Sequence, residues 1–137
     1  MSKPILCLDF DGVIHSYVSG WKGSATIPDA PIDGAFEFIE RALEHFHVCI
    51  FSSRTGQYES FDSGLRKKEG VDAMREWCEK WAIHKLGEVR GRGVMAMVTF
   101  PIQKPSAMVT IDDRAITFDG TWPEIETLKN FKPWNKK

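Results

Sequence analysis

Residues 5–15 read Ile-Leu-Cys-Leu-Asp-Phe-Asp-Gly-Val-Ile-His. An apolar run that stops on two carboxylates, Asp9 and Asp11, and turns at once on Gly12 reads as a buried strand whose C-terminal end carries acid. Side chains two apart share a face of a strand, so Asp9 and Asp11 point together if the strand runs on through them. Gly12 lets the backbone turn away there. Carboxylates closing a hydrophobic strand are costly unless they meet a cation or take part in chemistry. Open α/β sheets hold their sites at such strand ends.

The rest of the chain supports an α/β reading. Four short apolar runs, Ile5–Phe10, Val48–Phe51, Val94–Phe100 and Ala107–Ile111, have the length of buried parallel strands. Between the first two, Ala35, Phe36, Ile39, Ala42, Leu43 and Phe46 recur at helical spacing, with Asp33 placed as N-cap. Val71, Met74, Cys78 and Trp81 form a second helical stripe that Gly87 can end. Thr121-Trp-Pro-Glu fits the capping box of a third, short helix. Strands alternating with helices predict a Rossmann-like three-layer sandwich around a mainly parallel sheet. Two stretches carry no periodicity. Ser16–Ile32 is a loop or small flap; Ser53–Gly70 is polar and holds the basic cluster Arg66, Lys67 and Lys68.

At 137 residues the chain reads as one domain, residues 1–137, with residues 16–32 as a flap and no large cap. Its formal net charge of −1 gives no general attraction to nucleic acid or membrane. No apolar segment approaches the roughly 20 residues of a bilayer span, and the charged N-terminal run is unlike a signal peptide. Cys7, Cys49 and Cys78 show no metal or redox spacing and read as buried free thiols of a reducing, cytoplasmic compartment.

Three later signals join Asp9 and Asp11. The second strand ends at Ser52, followed by Ser53 and Arg54; Lys104-Pro105 precedes the fourth strand; that strand ends at Asp112-Asp113, followed by Arg114. In a parallel sheet these ends converge on one edge. Several carboxylates without His or Cys ligands favour a hard cation such as Mg²⁺. An ammonium and a hydroxyl beside it can hold phosphate oxygens. One carboxylate can then attack phosphorus, and a second can move the protons.

With these residues the chain resembles the haloacid dehalogenase superfamily of phosphohydrolases. Asp9-Phe10-Asp11-Gly12-Val13 matches its first motif, Ser52 the second, Lys104 the third and Asp112-Asp113 the fourth, over about residues 5–113. The resemblance implies that Asp9 is the nucleophile and a magnesium ligand. Asp11 is the general acid/base, with its backbone carbonyl on the metal. It further implies that Ser52 hydrogen-bonds the phosphoryl group, that Lys104 neutralises its charge, and that Asp112 ligates magnesium. Asp113 would act through water or by orienting neighbours. The expected activity is a magnesium-dependent phosphatase with an aspartyl-phosphate on Asp9, acting on a small phosphate ester or a nucleic-acid end.

Other readings compete with this one. A receiver domain also groups acids, a hydroxyl and a lysine, but keeps its phosphoacceptor on a middle strand. The order here favours the hydrolase. A catalytically silent phosphate- or nucleic-acid-binding module on the same fold is the alternative from another class, and the complete acid set argues against it. Ser53 competes with Ser52. His15 either faces the pocket or packs, and Arg54 and Arg114 either contact substrate or form ion pairs. Arg66, Lys67, Lys68, Arg90 and Arg92 are the basic residues a nucleic-acid end would use, or else a solvated face.

Overall fold

The computed structural model describes residues 2–56 and 69–136. Strand β1, Ile5–Leu8, lies in the middle of a three-stranded parallel sheet, between β2, His47–Ile50, and β3, Val109–Ile111. Cys7 stands opposite Cys49 on one side and Thr110 on the other. With side chains alternating between faces, Leu6 and Leu8 share one face and Cys7 takes the other. All three are buried, as the uninterrupted apolar run requires of a strand covered on both sides. Leu6, Leu8, Phe10, Ile39, Val48, Ile50 and Met74 belong to one continuous core.

Three of the four apolar runs hold strands: β1 and β3 are shorter than their runs, β2 starts one residue early at His47, and β3 is exposed rather than buried. β1 ends at Leu8 because the Phe10 carbonyl accepts the N–H groups of Val13, Ile14 and His15 (3.2, 2.9 and 3.0 Å), winding the chain into a tight turn. The third run is different. Val94 and Met95 belong to a helix, and only Thr99 pairs with the sheet, as a single parallel bridge to Cys49 beyond β2. A short apolar run satisfies a helix as well as a strand, and Gly91 tips the balance. A side chain there would overlap the backbone of Ala82 and Ile83, so glycine lets this segment pack as a helix against its predecessor.

Four helices are present among the described residues: α1 (Ala35–Ala42), α2 (Glu69–Leu86), α3 (Glu88–Ala96) and α4 (Ile125–Lys129). α1 buries Phe36, Ile39 and Ala42, the stripe its periodicity predicts. Its N-cap is Gly34, at φ 83°, rather than Asp33, and no side chain caps it. The left-handed glycine makes the turn through the backbone, with Ala35 N–H bonded to the Ile32 carbonyl. α2 buries Val71, Met74, Trp77 and Cys78. The short C-terminal helix starts at Ile125, not at Thr121, because the Thr121 N–H is taken by the Asp119 side chain.

Residues 16–32 form no regular helix or strand and close back on themselves, with Ser16 N–H bonded to the Ala30 carbonyl and Ile32 N–H to that of Ile14. The flap expected from the sequence is this loop. Ser53–Gly56 makes a 3₁₀ turn after β2; the basic cluster Arg66, Lys67 and Lys68 lies outside the described residues. All three cysteines are free and buried. Burial pushes each thiol up, that of Cys49 to about 12, which leaves them protonated and unreactive. Among the described residues no helix is long and apolar enough to cross a membrane.

Candidate active site at the ends of the parallel strands

β1 and β3 are neighbours, so whatever follows them shares one edge of the sheet. Asp9 follows β1, with its N–H on the Ile111 carbonyl at 2.9 Å, and Asp112 and Asp113 follow β3. One carboxylate oxygen from each of the three lies within 4.8 Å of the others. Asp113 is tucked under the turn after β1: Gly12, at φ +85°, approaches so closely that a Cβ there would overlap the Asp113 carboxylate. Gly12 is thus required both for its left-handed backbone and for its missing side chain.

Three carboxylates this close repel. Burial, then the Asp113 carboxyl and the charge of Asp112, push the Asp9 carboxyl up to about 8, against the lowering pull of the Phe10 N–H. The Oδ1 atom of Asp113 is buried and finds no hydrogen-bond partner among the described residues. A buried carboxylate oxygen left unsatisfied is expensive unless something cationic completes it. Asp112 is exposed; its Oδ1 accepts the Arg114 N–H at 2.8 Å. The Arg114 guanidinium stays exposed, with Nε 3.9 Å from Asp113 Oδ2, too loose to neutralise the group. The donor set is entirely oxygen and acidic, which fits a hard divalent cation such as Mg²⁺.

Asp11 goes elsewhere. With β1 ending at Leu8, the strand alternation that would align it with Asp9 no longer applies, and its carboxylate faces the flap. Arg54 grips it with two bonds, Nε to Oδ2 at 2.9 Å and Nη2 to Oδ1 at 3.0 Å, and His15 Nδ1 is 2.8 Å from Oδ1. Burial works against the charge of Asp11, but the bonds from His15 and Arg54 outweigh it and hold its carboxyl below the usual carboxylate range. His15 is fully buried; its Nε2 accepts the Asp29 N–H at 3.2 Å, which leaves Nδ1–H to donate to Asp11.

No known family model, curated protein or solved structure matches the chain.

Ser52 is buried at the end of β2, where its Oγ accepts the Arg54 N–H at 3.1 Å; Ser53 is exposed on the following turn. Lys104 sits exposed in the loop before β3, and among the described residues no hydrogen bond or ion pair joins it to the three acids. Of the predicted residues, the structure brings together Asp9, Asp112 and Asp113, and separately Asp11, His15, Arg54 and Ser52. Arg54, open in the sequence between substrate contact and ion pair, is an ion pair. Arg90 is paired with Glu40 through two bonds (3.0 and 2.5 Å), and Arg92 with Glu88 and Glu79.

One neighbour of the acid turn went unseen in the sequence. Trp134, in the last 3₁₀ turn, donates its indole N–H to the Gly12 carbonyl at 2.8 Å, while the Asn135 side-chain amide reaches the Ser16 carbonyl at 3.4 Å. The contact spans 122 positions, and a lone Pro-Trp-Asn carries no periodicity that could announce it.

Proposed function

We propose that the chain is a magnesium-dependent phosphatase of the haloacid dehalogenase type, hydrolysing phosphomonoesters through an aspartyl-phosphate on Asp9. The scaffold would be a capless, Rossmann-like three-layer domain working in the cytoplasm. The observation that carries this reading is the meeting of Asp9, Asp112 and Asp113 at adjacent parallel strand ends, with a buried Asp113 oxygen left without a partner.

Asp9, Asp112 and Asp113 would hold Mg²⁺, together with the Asp11 carbonyl. Bound there, the ion supplies positive charge that lets the carboxylates stay ionised together and draws in a phosphoryl group. An Asp9 oxygen would attack phosphorus as the bond to the leaving oxygen breaks, and that oxygen would take from Asp11 a proton that Asp11 must first gain from solvent, against the pull of Arg54 and His15. Water then attacks the aspartyl-phosphate, Asp11 accepts its proton, and Asp9 is released with inorganic phosphate. Arg54 and His15 favour the ionised form of Asp11, the form the water step would need. Ser52 and Lys104 are candidates to hold the phosphoryl oxygens, Lys104 by a movement of its exposed loop.

With residues 16–32 as its only flap among the described residues, the site would be open to bulky esters. A nucleic-acid end remains one such ester, though Arg90 and Arg92 are already spent on glutamates. The test is hydrolysis of a panel of phosphate esters, phosphorylated DNA ends included, with magnesium, with calcium and after exhaustive chelation. Magnesium should support turnover. Calcium, which takes more oxygens at longer distances, should inhibit. Full activity after chelation, or unchanged activity in Asp9→Asn, refutes the proposal.

A further inference from the structure

Among the described residues Arg54 is the largest fully buried side chain, and all three of its guanidinium nitrogens donate. Nε and Nη2 hold the two oxygens of Asp11. Nη1 collects three backbone carbonyls of the flap, those of Gly23 and Ser24 at 2.9 Å and Thr26 at 3.3 Å. The guanidinium carbon lies 4.9 Å from the ring centre of Trp21, also on the flap, and 5.6 Å from that of Phe10. His15 repeats the pattern, joining Asp11 to the Asp29 N–H on the returning limb of the flap. Trp77 of α2 fastens that limb from behind, its indole N–H on the Asp29 carbonyl at 3.2 Å.

A surface loop does not need a buried guanidinium to stay closed; Ser19 and Asp29 already bond across it (2.6 and 2.8 Å). Burying a charge this completely is costly, and it is tolerated where a fixed geometry results. The planar fork of arginine fixes the plane of the Asp11 carboxylate as well as its position, which a lysine cannot do. Because the same group carries three flap carbonyls, the orientation of Asp11 depends on where the flap sits.

We propose that Arg54 is a positioning residue: it couples the flap to Asp11, and the flap thereby sets the geometry of the proton-transfer step. This inference rests on the phosphatase reading and adds that Arg54 touches neither phosphate nor metal. The two protonation events differ in what they demand. A good leaving group departs without a proton, whereas the attack of water on the aspartyl-phosphate still needs Asp11 as base. Misplacing Asp11 therefore slows the second step for every substrate and the first only for poor leaving groups.

The experiment compares wild type, Arg54→Lys and Trp21→Ala on p-nitrophenyl phosphate and on glycerol phosphate with magnesium, with thermal unfolding as the check of folding. For Arg54→Lys, p-nitrophenol should appear in a burst of about one equivalent per enzyme before slow turnover. Steady turnover of both esters should fall on the order of 10–100-fold, with no burst from glycerol phosphate. For p-nitrophenyl phosphate KM should fall together with kcat, leaving kcat/KM within about threefold because only the step after phosphorylation is slowed, whereas for glycerol phosphate kcat/KM should fall as well. Trp21 is 46 % exposed and tolerant of truncation, and Trp21→Ala should show the same pattern more weakly, because it loosens Arg54 without touching Asp11. It decides the matter alone if Arg54→Lys does not fold. Equal losses of burst and turnover on both esters, or a raised KM with kcat unchanged, overturn the positioning role. A wild-type protein that makes no aspartyl-phosphate refutes the phosphatase reading itself, a different result from a competent wild type with indifferent variants.

Discussion

Replacing Asp9 with Asn in the magnesium-free protein should stabilise the fold, by an amount that grows with pH. A free aspartate titrates near 3.8, whereas the folded Asp9 is pushed up to about 8 by burial and by its two acidic neighbours. The folded state therefore keeps a proton between those values that the unfolded chain has lost. Stability must fall as pH rises across that window, and the full penalty is present above the folded pKa. Four units at about 1.4 kcal/mol each set a ceiling of ~6 kcal/mol. Asp9 is only partly buried, and a protein interior behaves as a medium of moderate dielectric, so about half that figure, ~3 kcal/mol, is expected. Asn carries no charge and can donate to Asp113, so Asp9→Asn removes the penalty. Unfolding followed by circular dichroism in EDTA should place the variant level with wild type near pH ~4 and roughly 10 °C higher in Tm near pH ~9. Added magnesium should then raise wild type and leave Asp9→Asn nearly unmoved, reversing the order. A difference between the two proteins that stays flat from acid to alkaline pH would falsify the picture of three mutually repelling carboxylates.

Other outcomes test the rest of the site. Gly12→Ala should cost on the order of 2 kcal/mol in chemical denaturation, from the left-handed backbone and the overlap with Asp113. The same variant should lose magnesium binding in calorimetry, and wild-type affinity would show that the Gly12–Asp113 contact is dispensable. Trp134→Phe deletes one indole N–H bond to the Gly12 carbonyl and should lower stability by about 1 kcal/mol, with Trp134→Ala costing more. If Lys67 and Lys68 draw in a nucleic-acid end, kcat/KM for a 3′- or 5′-phosphorylated oligonucleotide should exceed that for a simple ester at low salt and fall as salt rises. Equal values, indifferent to charge reversal of both lysines, leave a small-molecule phosphatase.

Much of the layout was legible because it depends on local pattern. The apolar runs at 5–10 and 107–111 contain β1 and β3, the run at 48–51 overlaps β2 to within one residue, and the helical stripes from Ala35 and from Val71 are α1 and α2. Alternation and helical periodicity are properties of neighbouring residues, so burial reads them directly. The run at 94–100 misled for the same reason. Val94, Met95, Val98 and Phe100 do face the core, but the close approach of Gly91 to α2, which makes the segment helical, involves residues the run does not contain.

The amino-acid sequence by itself determined that acids stand at strand ends and that they would share an edge, since parallel strands put their C-terminal ends on one side of a sheet. Which acids meet was decided only by the tertiary structure. Placing β3 beside β1 brought Asp112 and Asp113 to Asp9, while ending β1 at Leu8 turned Asp11 away to Arg54 and His15. Sequence spacing cannot make that division, because a turn of a few residues redirects a side chain by more than the separation of the partners competing for it. The same holds for Trp134, whose place against Gly12 depends on the path of the whole intervening chain.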